Sequence, residues 1–173
     1  MTKKELIDEL KKNHQKFLDY IDALSKEEFE SSKHQKWTAG QELDHIVKST
    51  FPIANVLNNK TFIKSKFGTI DRDNLNYQAL IAKYHYELKN GGKAIGKFIP
   101  DKVSWVQRTE LKNQLISIVE QISVRLDLYT EEELKELIIP HPLLGALTIQ
   151  EMLYFTMYHV LHHLENSKRN LRE

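Results

Sequence analysis

Leu6, Leu10, Phe17, Ile21 and Leu24 recur at spacings of three, four or seven, with Lys, Asp and Glu between them. That period predicts an amphipathic helix of about six turns. Thr2 followed by Glu5 predicts a capping box at its start, and Ser25 with Glu28 repeats the signature ahead of a short helix ending near Ser31-Ser32. A third start stands at Thr38, with Gln41 in the matching position and an apolar stripe of Leu43, Ile46, Val47, Thr50, Ile53 and Leu57 behind it. Pro52 falls inside that stripe. Its missing amide proton and its ring predict a kink or break near Phe51.

Residues 59–73 are rich in Asn, Lys and Asp around Gly68 and read as a connection. Tyr77, Leu80, Ile81, Tyr84 and Leu88 form another helical stripe, which stops at Asn90-Gly91-Gly92. The stretch from Gly91 to Trp105 carries two more breakers, Gly96 and Pro100, and reads as a long ordered loop anchored by Phe98 and Trp105. Leu111, Leu115, Ile118, Ile122 and Leu126 define a further long helix. Thr130 with Glu133 caps a short one ending before Pro140, and residues 141–145 (HPLLG) make a tight connection. Thr148 with Glu151 opens the last helix, from about Ile149 to about Leu171. No segment alternates as a strand does. The pattern predicts an all-α fold: a four-helix bundle with additional short helices and one long loop, in a single domain over residues 1–173.

Composition narrows what such a bundle can do. The 173 residues carry 25 Lys+Arg against 24 Asp+Glu, a net charge of +1, so no basic surface points to nucleic acid. No apolar run approaches the ~20 residues that cross a bilayer, and the polar start MTKKELIDELKKNHQ is unlike a signal peptide. The expectation is a cytoplasmic protein with no membrane partner. With no Cys, the chain has no thiolate for zinc, for an iron–sulfur cluster or for nucleophilic attack. It does have eight His.

Of these, His159 and His163 stand four apart on the last helix and share its apolar face with Ile149, Met152 and Thr156. Such a pair either binds one transition ion or decorates a helix C-terminus, where the dipole favours cations. His162 lies about 100° round the helix and faces elsewhere. A third ligand must come from a facing helix, and His45, bordering the stripe of Ile46 and Ser49, is the candidate. Two metal alternatives fail. Glu42 to His45 is a Glu-x-x-His with no second copy in the chain, which a carboxylate-bridged di-iron bundle requires. A zincin helix needs Glu where Val160 stands.

The order Trp37-Thr38 ahead of His45, then residues 141–148 (HPLLGALT), then His159-x-x-His162-His163 resembles the DinB/YfiT-like superfamily in its DinB-like branch, over nearly the whole chain. The resemblance implies a four-helix bundle with nickel or zinc held by three histidines, matching His45, His159 and His163 here. It also implies metal-dependent hydrolysis, or transfer of a low-molecular-weight thiol, on a small-molecule substrate, and homodimers formed through bundle faces. The stretch between His45 and the 111–126 helix is longer than the family's minimal form.

Among groups that could serve as an acid or base, Glu42 stands one turn before His45 and is the candidate catalytic residue, against a first-turn Glu that merely answers the helix dipole. Asp44 and Glu165 are expected to face outward or toward the rim. His14, on the inner side of the first helix, is a further candidate ligand or partner. His141 reads as a turn residue or a cover for the site. The competing functional class is a non-catalytic, metal-stabilised bundle acting as a binding or stress-associated module.

Overall fold

The computed structural model describes residues 1–172. Helix α1 (Lys3–Ala23) is followed by α2 (Lys26–Glu30), α3 (Ala39–Leu57), α4 (Lys60–Lys66), α5 (Tyr77–Lys89), α6 (Arg108–Arg125) and α7 (Glu131–Glu136). A hairpin of β1 (Ile138–His141) and β2 (Gly145–Thr148) then leads into α8 (Ile149–Arg172). Four long helices form the bundle: α3 packs on α6, α1 on α8, and these pairs close on each other through α3–α8 and α1–α6 contacts. Helix α5 lies outside the four, against α8, burying only Leu80 and Tyr84. No helix among the described residues is long and apolar enough to cross a membrane.

The predicted stripes face the core. Leu6, Leu10, Phe17 and Ile21 of α1 and Leu43 of α3 are fully buried, as are Leu115 and Ile122 of α6 and Leu153 and Val160 of α8. Each such side chain contributes about 1.5–3 kcal/mol relative to an exposed one. All five capping boxes read from the sequence form, at Thr2, Ser25, Thr38, Thr130 and Thr148. At the start of α3, Gly40 lets Phe29 and Val103 approach so closely that a Cβ would stand 2.8 Å from the Phe29 ring. Phe29 in turn meets Trp105 edge-on, with centroids 5.6 Å apart, which anchors the end of the long loop.

Three expectations change. Helix α3 runs through Pro52 without a break; Ile53, Ala54 and Leu57 beyond it are buried in the bundle, which offsets the ~3 kcal/mol that a helical proline costs. Within the stretch read as a connection, Asn59 caps α4, which buries Ile63. Residues 138–148 pair as an antiparallel hairpin, from Ile138 with Thr148 to His141 with Gly145. Gly145 adopts φ 77°, the left-handed conformation that closes such a short loop. In that loop His141 Nδ1 accepts from the amides of Leu143 and Leu144, and its ring abuts Phe155 at 4.3 Å. Burial and Lys83 push its pKa down to about 4. His141 is thus a turn residue.

Candidate metal centre

Helix α8 carries His159 and His163 one turn apart, and α3 brings His45 against them. One ring nitrogen from each lies within 4.8 Å of the others. His159 Nε2 is 2.9 Å from His163 Nε2 and 3.3 Å from His45 Nε2. The three residues are 5–6 % exposed. Trp37, just before α3, stacks on His163 at 6.1 Å and meets His45 at 5.1 Å. Phe155 stacks on His159 at 4.6 Å, and Tyr84 of α5 presents its edge to the same ring at 6.0 Å.

The outer nitrogens decide what the inner ones offer. His45 Nδ1 lies 2.6 Å from the Phe98 carbonyl oxygen, which can only accept, so Nδ1 carries the proton and Nε2 keeps its lone pair. His163 Nδ1 meets Glu42 Oε2, which holds that ring with its Nε2 directed at His159. Asn170 Nδ2 donates to the Trp37 carbonyl at 3.1 Å and reaches Glu42 Oε1 at 3.4 Å, so the carboxylate is itself held. Burial drives the pKa values of His159 and His163 well below normal, and each ligand's charge would add to the others' cost. His45 is lowered as well, chiefly by burial. Three neutral imidazoles with converging Nε2 atoms at ligand-to-ligand separations fit a divalent transition ion.

Glu42 is 2 % exposed, and burial raises its pKa to about 8. Its carboxylate stands behind His163, at Nδ1, so any acid–base role is exerted through the imidazole. Asp44 turns inward instead of outward. It accepts from the Asp101 amide at 2.8 Å and pairs with Lys48 at 2.7 Å, while Lys48 also holds the Ile99 carbonyl and Asp101. This clamp fixes the long loop one turn from His45 and so places the Phe98 carbonyl. The sequence offered no sign of that carbonyl beyond the loop's unusual length. Glu165 is exposed and pairs with Lys168. His162 is not one of the three converging rings: it meets His163 edge-on at 5.1 Å, lies beside Tyr84 and His85, and its Nε2 contacts Asn166 Nδ2 at 3.1 Å. His85 in turn contacts Tyr158 at 2.6 Å.

His14 stays outside the cluster. Its Nδ1 donates to the Leu10 carbonyl at 2.8 Å, and its buried Nε2 has no hydrogen-bond partner among the described residues. Burial lowers its pKa from 6.5 to about 4, against the small upward pull of that hydrogen bond. The unfolded chain therefore takes up this proton first as pH falls. The stability that a neutral His14 supplies is complete above about pH 6.5 and is lost between there and about pH 4, to a total of about 3 kcal/mol. In metal-free protein, His14→Leu should therefore gain about 2 kcal/mol on wild type between pH 8 and pH 5, read by urea unfolding. Equal differences at the two pH values would refute this account.

A family model of the DinB superfamily matches residues 9–166, and the chain belongs to that superfamily. Comparison with curated proteins and with solved structures returns no match.

Proposed function

We propose that this member of the DinB superfamily holds a divalent transition ion on His45, His159 and His163 and works on a small molecule by metal-dependent hydrolysis or thiol transfer. The observation that carries the reading is the orientation of the rings: Phe98 and Glu42 occupy the outer nitrogens of His45 and His163, and the Nε2 atoms converge. Imidazole donors suit nickel and zinc. A bound ion keeps its full charge among neutral ligands, and so receives a thiolate or lowers the pKa of a protic group in its remaining position.

The chain's own residues do the rest. The Phe98 carbonyl keeps the His45 proton on Nδ1, and Glu42 holds the outer nitrogen of His163, so that both Nε2 atoms are directed inward. Trp37, Phe155 and Tyr84 surround the ligand rings with aromatic surface and limit water. With no cysteine in the chain, a thiol that reacts here arrives as substrate.

The low exposure of the ligand rings favours a second reading, in which the ion only stabilises the bundle. One experiment separates the two. Protein made without a histidine tag is loaded with nickel or zinc and offered thiol donors together with electrophilic acceptors, and separately esters and amides. Turnover that disappears on chelation supports catalysis. A chelation-dependent fall in melting temperature without turnover supports the stabilised bundle, and absence of bound metal sinks both.

A further inference from the structure

Five hydroxyls of the long helices bond back to the carbonyl four residues earlier: Ser49, Thr50, Ser123, Thr156 and Ser167. Four of them need no explanation beyond the satisfaction of a buried hydroxyl. Ser49 differs. Its Oγ also lies 3.4 Å from His45 Nε2, the nitrogen that faces His159 and His163. Its proton is committed to the His45 carbonyl at 2.7 Å, so its lone pairs remain free toward that nitrogen and its surroundings. The residue is half-buried, more open than the ligand rings.

The separation from His45 agrees with a shared centre. Donors bound at ~2.0–2.1 Å in a tetrahedron stand about 3.3 Å apart. The Ser49–His45 distance of 3.4 Å and the His45–His159 distance of 3.3 Å match that spacing, and the His159–His163 distance of 2.9 Å is shorter. We propose that Ser49 Oγ is the fourth donor of the centre, a neutral oxygen on the more open side of the three imidazoles. A neutral hydroxyl is a weak ligand for nickel or zinc beside imidazole. It therefore holds the remaining position against solvent and yields it to a stronger donor such as a thiolate. The inference rests on the three-histidine reading.

Cobalt(II) is the probe, bound to wild-type, Ser49→Ala, Ser49→Thr and Ser49→Cys proteins made without a histidine tag. Ser49→Cys should show a thiolate-to-cobalt charge-transfer band that the other three lack, and the band is unambiguous because the natural chain contains no cysteine. Ser49→Ala should alter the visible ligand-field bands and weaken cobalt binding about fivefold. Ser49→Thr, which keeps the oxygen, should restore both. A Ser49→Cys protein that binds cobalt without the new band, or a Ser49→Ala protein with the wild-type spectrum and affinity, would overturn the assignment. If Ser49→Cys fails to fold, the comparison of Ala with Thr decides. Failure of the wild type to bind cobalt removes the three-histidine reading itself, and this inference with it.

Discussion

Replacing His159 by Ala should lower the affinity for nickel or zinc at least 100-fold. Structural zinc sites are worth ~10–16 kcal/mol over their ligands, or about 3 kcal/mol for each, and 1.4 kcal/mol is a factor of about ten. His159 has the strongest claim because its Nε2 lies between those of His45 and His163, at 3.3 and 2.9 Å. Ala at His45 or His163 should act similarly. Glu42→Ala should cost less, about 10–100-fold, since it frees the His163 ring without removing a donor. His85→Ala should leave the affinity unchanged, because its ring meets only Tyr84, Tyr158 and His162, and His162→Ala should cost far less than loss of a ligand, because it touches His163 only edge-on and its Nε2 contacts Asn166. Chelator competition and elemental analysis read all of these. Retention of wild-type metal by both His159→Ala and His163→Ala would show that the ion sits elsewhere.

The second large effect is expected away from the candidate ligands, at the N-terminal end of α8. Glu151 is fully buried, and both its oxygens accept from Arg72, at 2.7 and 2.8 Å. It accepts further bonds from the amides of Leu75 at 2.7 Å and Thr148 at 2.9 Å. Burial alone would raise its pKa, but Arg72 and the two amides outweigh burial and hold it below the usual carboxylate range. One side chain thus caps α8, ties the hairpin to it and fastens the segment that leads into α5. Glu151→Ala should destabilise the protein by about 3 kcal/mol, the lower end for a broken buried pair because Arg72 is one-third exposed. The group's pKa is depressed on folding, so its contribution is complete above the ordinary carboxylate range and fades as pH falls below it. Urea unfolding at neutral pH measures the loss. A change under about 0.5 kcal/mol, the scale of an ordinary surface substitution, would mean that solvent replaces Glu151 at each of its donors.

These two sites mark what the sequence made legible. Thr148-x-x-Glu151 announced a capping box, because that signal depends on two residues at fixed spacing. Nothing announced Arg72, which lies 79 residues away and is brought in by the chain's path. The i, i+4 spacing of His159 and His163 implied a shared face, and the apolar stripe beside His45 made it the candidate third ligand, which the resemblance then matched. The Phe98 carbonyl could not be read, because a backbone oxygen has no residue identity and only the folded loop puts it at His45. The β1–β2 hairpin was hidden for another reason: four residues containing His and Pro are too few to show a period of two. Helix α4 buries only Ile63, so its polar composition resembled a connection. The inward turn of Asp44 was misread because a charged side chain on a helix usually faces solvent, and here a lysine and a loop amide compensate its burial.

The loop from Gly91 to Ser104 acquires a thermodynamic standing from its one bond to His45. An ion that fixes the His45 ring also fixes the Phe98 carbonyl that meets the ring's outer nitrogen. Linkage is reciprocal: any factor by which the ion favours the ordered loop is the factor by which a ligand that orders the loop tightens the ion. Lys93, Ile95, Lys97 and Ile99 on this loop are exposed, touching solvent while their backbone is wired to a buried imidazole. A ligand that ordered this loop from outside would therefore tighten any ion held on His45 within.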